Sequence, residues 1–178
     1  ESEYDTTTCG HASVSISAAL GMAVAANRQR TNRHVVAVIG DGALTGGMAF
    51  EALNNAGSMK TDILVILNDN HISIDQSTGA LHNHLLKIST SHTYNSVKAK
   101  IWNHLDGAAK LRAGVQAFVS GTKNALLQNA PLFESLGFRY FGTVDGNNIE
   151  QMVETLTKLR DIQGPKLLHI VTTKGKGY

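Results

Sequence analysis

A single cysteine, Cys9, excludes an internal disulfide and makes a reducing compartment the default expectation. A strong excess of either charge is also lacking. Sixteen Lys and Arg stand against fourteen Asp and Glu, a net charge of +2. No basic run is present, which argues against nucleic acid or an anionic membrane as partner. The longest apolar stretches are strand-sized, so the sequence holds no candidate transmembrane helix. No signal-peptide pattern, internal repeat, low-complexity tract or domain linker is visible. The sequence begins ESEYD without an initiator methionine and stops at TTKGKGY, and both ends read like the interior of something longer.

What is there suits one domain with its own core: 178 residues, 42% hydrophobic and 17% charged. Residues 12 to 27 carry small apolar side chains at helical spacing (Val14, Ala18, Met22, Ala25), and serines near the start are candidate caps. HVVAVI at 34 to 39 is a β-branched run without alternation, the pattern of a strand buried on both faces. LTGGMAFEALNNAG suits a helix through Met48, Ala49, Ala52, Leu53 and Ala56, with Gly57 as its stop. DILVILNDN at 62 to 70 is a second buried strand. Strand, helix and strand in so short a span make a βαβ unit with parallel neighbours. Residues 71 to 94 are polar, histidine-bearing and without clear period, and a helical stripe runs from Val97 to Phe118, weakened by Gly107 and Gly114. The chain then shows a strand near 138 to 143, an amphipathic helix opened by an asparagine cap (Ile149, Met152, Val153, Leu156, Leu159) and a last buried strand at 166 to 172. The expected class is α/β, a mainly parallel sheet sandwiched by helices, in one domain over 1–178 with a loop and helical excursion around 71–130.

The chemistry concentrates in VVAVIGDGALTGG, residues 35 to 47, where five apolar residues run into a loop with four glycines. A P-loop needs Gly-Lys-Ser/Thr after the glycines, and none is present. A dinucleotide fingerprint is a near miss: Thr45 takes the third small position, although Asp69 stands where a ribose-gripping acid belongs. Asp41 decides against both, because a carboxylate in the loop repels a pyrophosphate held by the same backbone. A divalent metal between the two charges turns that repulsion into attraction, since Mg²⁺ takes carboxylate, carbonyl and phosphate oxygens together. Gly42 leaves room for a phosphate, and a helix beginning near Leu44 points free N–H groups at it. A second oxygen ligand is expected at the tip of the neighbouring strand, where Asn68, Asp69 and Asn70 stand. Each residue also has a structural reading, Asp41 as a helix N-cap and Asn70 as a turn residue.

GDG, 25 intervening residues and NDN together resemble the thiamine diphosphate-binding motif. GHASVSISAALGMAVA, GDGALTGGMAFEALNNAG, ILVILNDNHISI, FESLGFRYFGTVDGNN and TTKGKGY narrow the resemblance to the family of 1-deoxy-D-xylulose-5-phosphate synthases, most weakly between 75 and 130. The resemblance implies a thiamine diphosphate-binding fold with thiamine diphosphate and Mg²⁺ as cofactors. It implies Asp41, Asn70 and the carbonyl of Ile72 as metal ligands. It puts Gly42 and Ala43 against the diphosphate, and Gly10, His11, Ala12, Asn70 and Tyr178 at the cofactor; Ala12 departs from the family's serine. It further implies a transferase joining pyruvate to D-glyceraldehyde 3-phosphate with loss of CO₂, on the way to isoprenoid and thiamine precursors. Implied too are a homodimer and a place in bacterial cytoplasm or plastid stroma. In that family the glutamate that activates the aminopyrimidine belongs to another domain, and an active-site histidine lies upstream of the segment matched here. The chain alone is therefore expected to be inactive, and no catalytic residue is assigned within it.

The remaining candidates are weaker. Among eight histidines, His82 and His84 have neither helical nor zinc-finger spacing and no cysteine pair, so a mobile loop is expected there rather than zinc; the family resemblance implies that this region borders the active site and gates the substrate. Lys174 and Lys176 read equally as a solvated end or as guides for a phosphorylated substrate, and Trp102 reads as packing. Two alternatives to the synthase stay open: another thiamine diphosphate enzyme such as a transketolase or a 2-oxoacid dehydrogenase subunit, and a non-catalytic nucleotide- or partner-binding α/β module.

Overall fold

The apolar runs become the strands of one parallel sheet in the computed structural model, which describes Tyr4, Thr6, Thr7, residues 9–70, Ala80, Leu85 and residues 131–177. Among these residues the order is α1 (Ser15–Arg28), β1 (Val36–Gly40), α2 (Asp41–Leu44), α3 (Gly47–Met59), β2 (Leu64–Asp69), α4 (Pro131–Ser135), β3 (Arg139–Asp145), α5 (Ile149–Arg160) and β4 (Lys166–Val171). The sheet runs β1-β2-β4-β3 with every pairing parallel. The expected helical stripe from Val97 to Phe118, Trp102, His82 and His84 lie outside the described residues.

Two βαβ units build this order, β1-α3-β2 and β3-α5-β4, and they wind toward each other. With a right-handed crossover in each, α3 and α5 must fall on opposite faces. The packing agrees. Ile16, Leu20, Ala49, Leu53 and Ala56 of α1 and α3 meet Ala37, Ile39, Val65, Leu67 and Leu167 on one face. On the other, Leu159 and Ile162, with Met152 and Leu156 of α5, meet Leu64, Ile66, Leu168 and Ile170. β2 and β4 are buried on both faces, which is why they read as unbroken apolar runs. Each fully buried leucine there contributes roughly 1.5–3 kcal/mol.

Several expectations are corrected. β1 is an edge among the described strands, and α5 does not reach it. Its side chains therefore alternate, with Val36 48% and Val38 59% exposed rather than buried on both faces. α1 buries Ile16, Ala19, Leu20, Ala23 and Ala26, while Met22 and Ala25 of the expected stripe face solvent. Its serines do not cap it; Val14 holds the N-cap position without a side-chain hydrogen bond. Met48 is half exposed. In α5, Ile149 and Val153 are exposed and Thr155 and Leu159 are buried. The expected asparagine cap is present, with Asn148 accepting from the Gln151 N–H at 3.0 Å.

Gly57 does not end α3. The helix continues to Met59 and stops at Lys60, which adopts the left-handed conformation at φ 52°. Gly57 is instead a point of close approach: a Cβ there would lie 1.6 Å from the Leu136 carbonyl oxygen, in the turn between α4 and β3. At the amino end of β4, the Lys166 ammonium is buried and donates to Asp62 Oδ1 (2.5 Å) and to the carbonyls of Ile162 (2.5 Å) and Gly164 (3.0 Å). Three acceptors match its three donors, so the buried charge is satisfied at the end of the sheet away from the glycine loop.

Gly57→Ala is expected to lower stability by about 3 kcal/mol, the upper end of the cost of overpacking. Gly21→Ala, in α1 where a Cβ meets nothing within 4 Å, is expected to raise it by about 0.5–1 kcal/mol through helix propensity. Urea unfolding of both variants measures the contrast.

Candidate functional site

β1 passes without a loop into α2. Gly40, extended at φ −78° and ψ 156°, is the N-cap, and Asp41 is the first helical residue. Asp41 is therefore not an N-cap, and its side chain is only 5% exposed. The first helical turn after the strand begins at Asp41, not near Leu44 as expected. That turn ends at Thr45, whose hydroxyl donates to the Gly42 carbonyl at 2.7 Å, and Gly46 then opens α3. The glycine-rich stretch is thus two successive helix starts, with the carboxylate in the first.

The segment before α1 is fastened to this loop. Ser13 Oγ donates to the Ala43 carbonyl at 2.6 Å. Ser13 holds φ 70°, a left-handed conformation that costs a non-glycine residue about 1–2 kcal/mol. Gly46 makes the contact possible, since a Cβ there would stand 2.4 Å from Ser13 Oγ. Ser13 thus ties the segment that carries Gly10, His11 and Ala12, all exposed, to Ala43. Ser13 was not among the expected site residues. A serine directly after GHA and before an apolar helix was its only sequence signal.

On the other side stands the tip of β2. The parallel register pairs Gly40 with Asn68, so the residues just beyond, Asp41 on one strand and Asp69 and Asn70 on the other, emerge at one sheet edge. β4 braces that tip. Asn68 Oδ1 accepts from Thr172 Oγ1 at 2.7 Å, and the Asp69 carbonyl accepts from the Thr172 N–H at 2.9 Å. The Asp69 carboxylate, 1% exposed, lies 3.1 Å from Nε2 of the fully buried His169. It is thus turned into the protein and is not available to grip a ribose, which removes the second half of the dinucleotide fingerprint. Asn70, just past the strand, is half-buried. Ile72 and Tyr178 lie outside the described residues.

The chemistry of this edge suits a hard cation. One buried carboxylate, an amide nearby and the N–H groups of a helix start can share a divalent ion and a phosphate. Among the described residues no group of three or more His, Cys, Asp or Glu could hold a metal ion. Any cation at Asp41 would therefore depend on amide, carbonyl or ligand oxygens. Lys176 forms an exposed ion pair with Asp145 at 3.8 Å, weak in water, which favours the solvated-end reading for that lysine. Cys9 is exposed. Among the described residues no helix is long and apolar enough to cross a membrane.

Comparison with known proteins identifies similar chains. A family model described as 1-deoxy-D-xylulose-5-phosphate synthase matches residues 1–172. Relatives carrying the same description include one from Cytophaga hutchinsonii, 54% identical over 182 residues, and one from Phocaeicola vulgatus, 50% identical over 185. Both alignments cover 100% of this chain and 29% of the relative, so the chain spans under a third of either protein. Among solved structures, an enzyme from Mycobacterium smegmatis assigned as thiamin diphosphate-dependent shares the fold. Its TM-score is 0.53 at 17% identity, over 92% of this chain and 22% of that one.

Ser13→Ala is expected to cost about 1 kcal/mol, the net value of its hydrogen bond. Ser13→Gly is expected to be nearly neutral, because relief of the left-handed penalty of about 1 kcal/mol offsets the lost bond. Chemical denaturation of the two variants side by side provides the check.

Proposed function

The chain belongs to the 1-deoxy-D-xylulose-5-phosphate synthase family, and on that premise we propose that it forms the diphosphate- and Mg²⁺-binding domain, residues 1–178, of a longer thiamine diphosphate-dependent transferase. The reaction is the decarboxylative condensation of pyruvate with D-glyceraldehyde 3-phosphate to 1-deoxy-D-xylulose 5-phosphate. The observation that carries this proposal is the buried Asp41 carboxylate at the sheet edge where two parallel strands finish together and β2 leads into Asn70. A carboxylate in that position opposes a bare diphosphate and suits a cation-bridged one.

The residues divide the work. Asp41 and Asn70 supply oxygen ligands to the cation, with the Ile72 carbonyl as a third. Gly42 and Ala43 would hold the diphosphate, with the N–H groups of the turn that begins at Asp41 as donors to it. Gly10, His11 and Ala12, whose segment is fastened through Ser13, would border the cofactor from the other side, and Tyr178 is carried over from the family as a further cofactor contact. When bound, thiamine diphosphate supplies the electron sink for decarboxylation and carbon–carbon bond formation; the protein binds and orients it. The homodimer and the two substrates come with the family. The bacterial relatives favour the cytoplasm of a bacterium over a plastid.

In the full-length protein, Mg²⁺ and thiamine diphosphate together are expected to raise the melting temperature. The gain corresponds to about 2.7 kcal/mol at a free concentration about 100 times Kd. Asp41→Ala is expected to abolish the shift while the cofactor-free protein still folds. Protection by NAD⁺ or ATP without metal, with none from Mg²⁺ and thiamine diphosphate, would replace this proposal with a nucleotide-binding module.

A further inference from the structure

Beneath the β2 tip, three polar side chains cross the sheet inside an apolar core. Tyr140 on β3, His169 on β4 and Asp69 on β2 climb diagonally toward the carboxyl edge, since Tyr140 is paired with Leu167 and Asp69 with Val171. The Tyr140 hydroxyl lies 2.5 Å from His169 Nδ1, and His169 Nε2 lies 3.1 Å from Asp69 Oδ2. His169 is 0% exposed. The Tyr140 ring stacks on the fully buried Phe133 at 5.8 Å and meets the imidazole edge-on at 6.0 Å.

The order of these groups resembles a nucleophile–base–acid triad, but the imidazole has no exposed surface through which to meet a substrate. Its geometry suits holding. With the carboxylate accepting from Nε2–H, Nδ1 offers its lone pair to the tyrosine hydroxyl, and that donation keeps the imidazole proton on Nε2. Without the hydroxyl, the carboxylate still favours the proton on Nε2, but Nδ1 is left without a partner and the ring loses one of the two contacts that fix its orientation. Burial makes each of these bonds costly to lose.

We propose that Tyr140 and His169 are positioning residues for the cation site: through Asp69 they hold the end of β2 so that Asn70 stands correctly for Mg²⁺. The chain of contacts is short. Asp69 is pinned at its carboxylate by His169 and at its carbonyl by the Thr172 N–H, and the next residue is Asn70. Neighbours that fix the orientation of a metal ligand without touching the ion commonly set its affinity. The inference rests on the diphosphate–cation reading of this edge.

The test is Mg²⁺ titration of the full-length protein at fixed thiamine diphosphate, read by calorimetry, beside the melting temperature of the cofactor-free protein. Tyr140→Phe is expected to raise the half-saturating Mg²⁺ concentration on the order of 10-fold; its cofactor-free melting temperature falls with the lost buried bond, but the protein stays folded at the temperature of the titration. His169→Gln, which keeps a donor toward Asp69, is expected to bind Mg²⁺ more tightly than His169→Leu. If His169→Leu does not fold, Tyr140→Phe decides. Unchanged Mg²⁺ half-saturation in Tyr140→Phe, with wild type binding normally, overturns the positioning role alone. Failure of the wild-type protein to take up Mg²⁺ and thiamine diphosphate overturns the functional reading, and this inference with it.

Discussion

The parallel register of Gly40 with Asn68 is the constraint on which the remainder depends. Strands in that register end together, and the residues beyond their two tips must share one edge. A shift of one residue would turn the side chains of β2 to the opposite face, taking Leu67 out of the core and Asp69 away from His169. Burial enforces the register: Val65 and Leu67 are both 0% exposed on the face covered by α1 and α3. The hydrophobic core therefore aligns the polar edge, and the site inherits its geometry from apolar packing.

Among the described residues the buried charged and imidazole groups of β4 are paired, and those pairs fall at opposite ends of the strand. At its amino end Lys166 is surrounded by acceptors and secures the loops around Asp62 and Gly164. Toward its carboxyl end His169 and Thr172 reach across to Asp69 and Asn68. The first cluster closes the sheet away from the glycine loop, and the second stiffens the strand tip beside it. Both cost desolvation, so each must be satisfied in full. A ligand edge also needs its backbone held more firmly than loops alone manage.

Most of the architecture was legible from residue patterns. The runs at 62 to 70 and 166 to 172 announced buried strands, because a strand covered on both faces needs no polar alternation. Asn148 announced the start of α5. The misreadings share one cause. Which face of α1 is buried, whether β1 is covered on both sides, and whether Gly57 stops a helix all depend on what packs there, and a local window contains no partner. Gly57 fitted a helix-stop pattern yet serves the Leu136 carbonyl, a neighbour almost eighty positions away in the chain.

The sequence by itself pointed to the chemical type proposed for the site. Asp41 inside a glycine loop and NDN after the next apolar run imply a cation between a carboxylate and a phosphate, because like charges cannot otherwise share a pocket. It also determined the α/β class, through the period of its apolar residues. Only the tertiary structure decided that Asp69 turns inward to His169, that Ser13 ties the first segment to Ala43, and that Tyr140 stands behind the imidazole. Those contacts join residues 29, 30 and 100 positions apart. Hydrogen bonds depend on distance and angle in space, which the fold creates and the order of residues does not display.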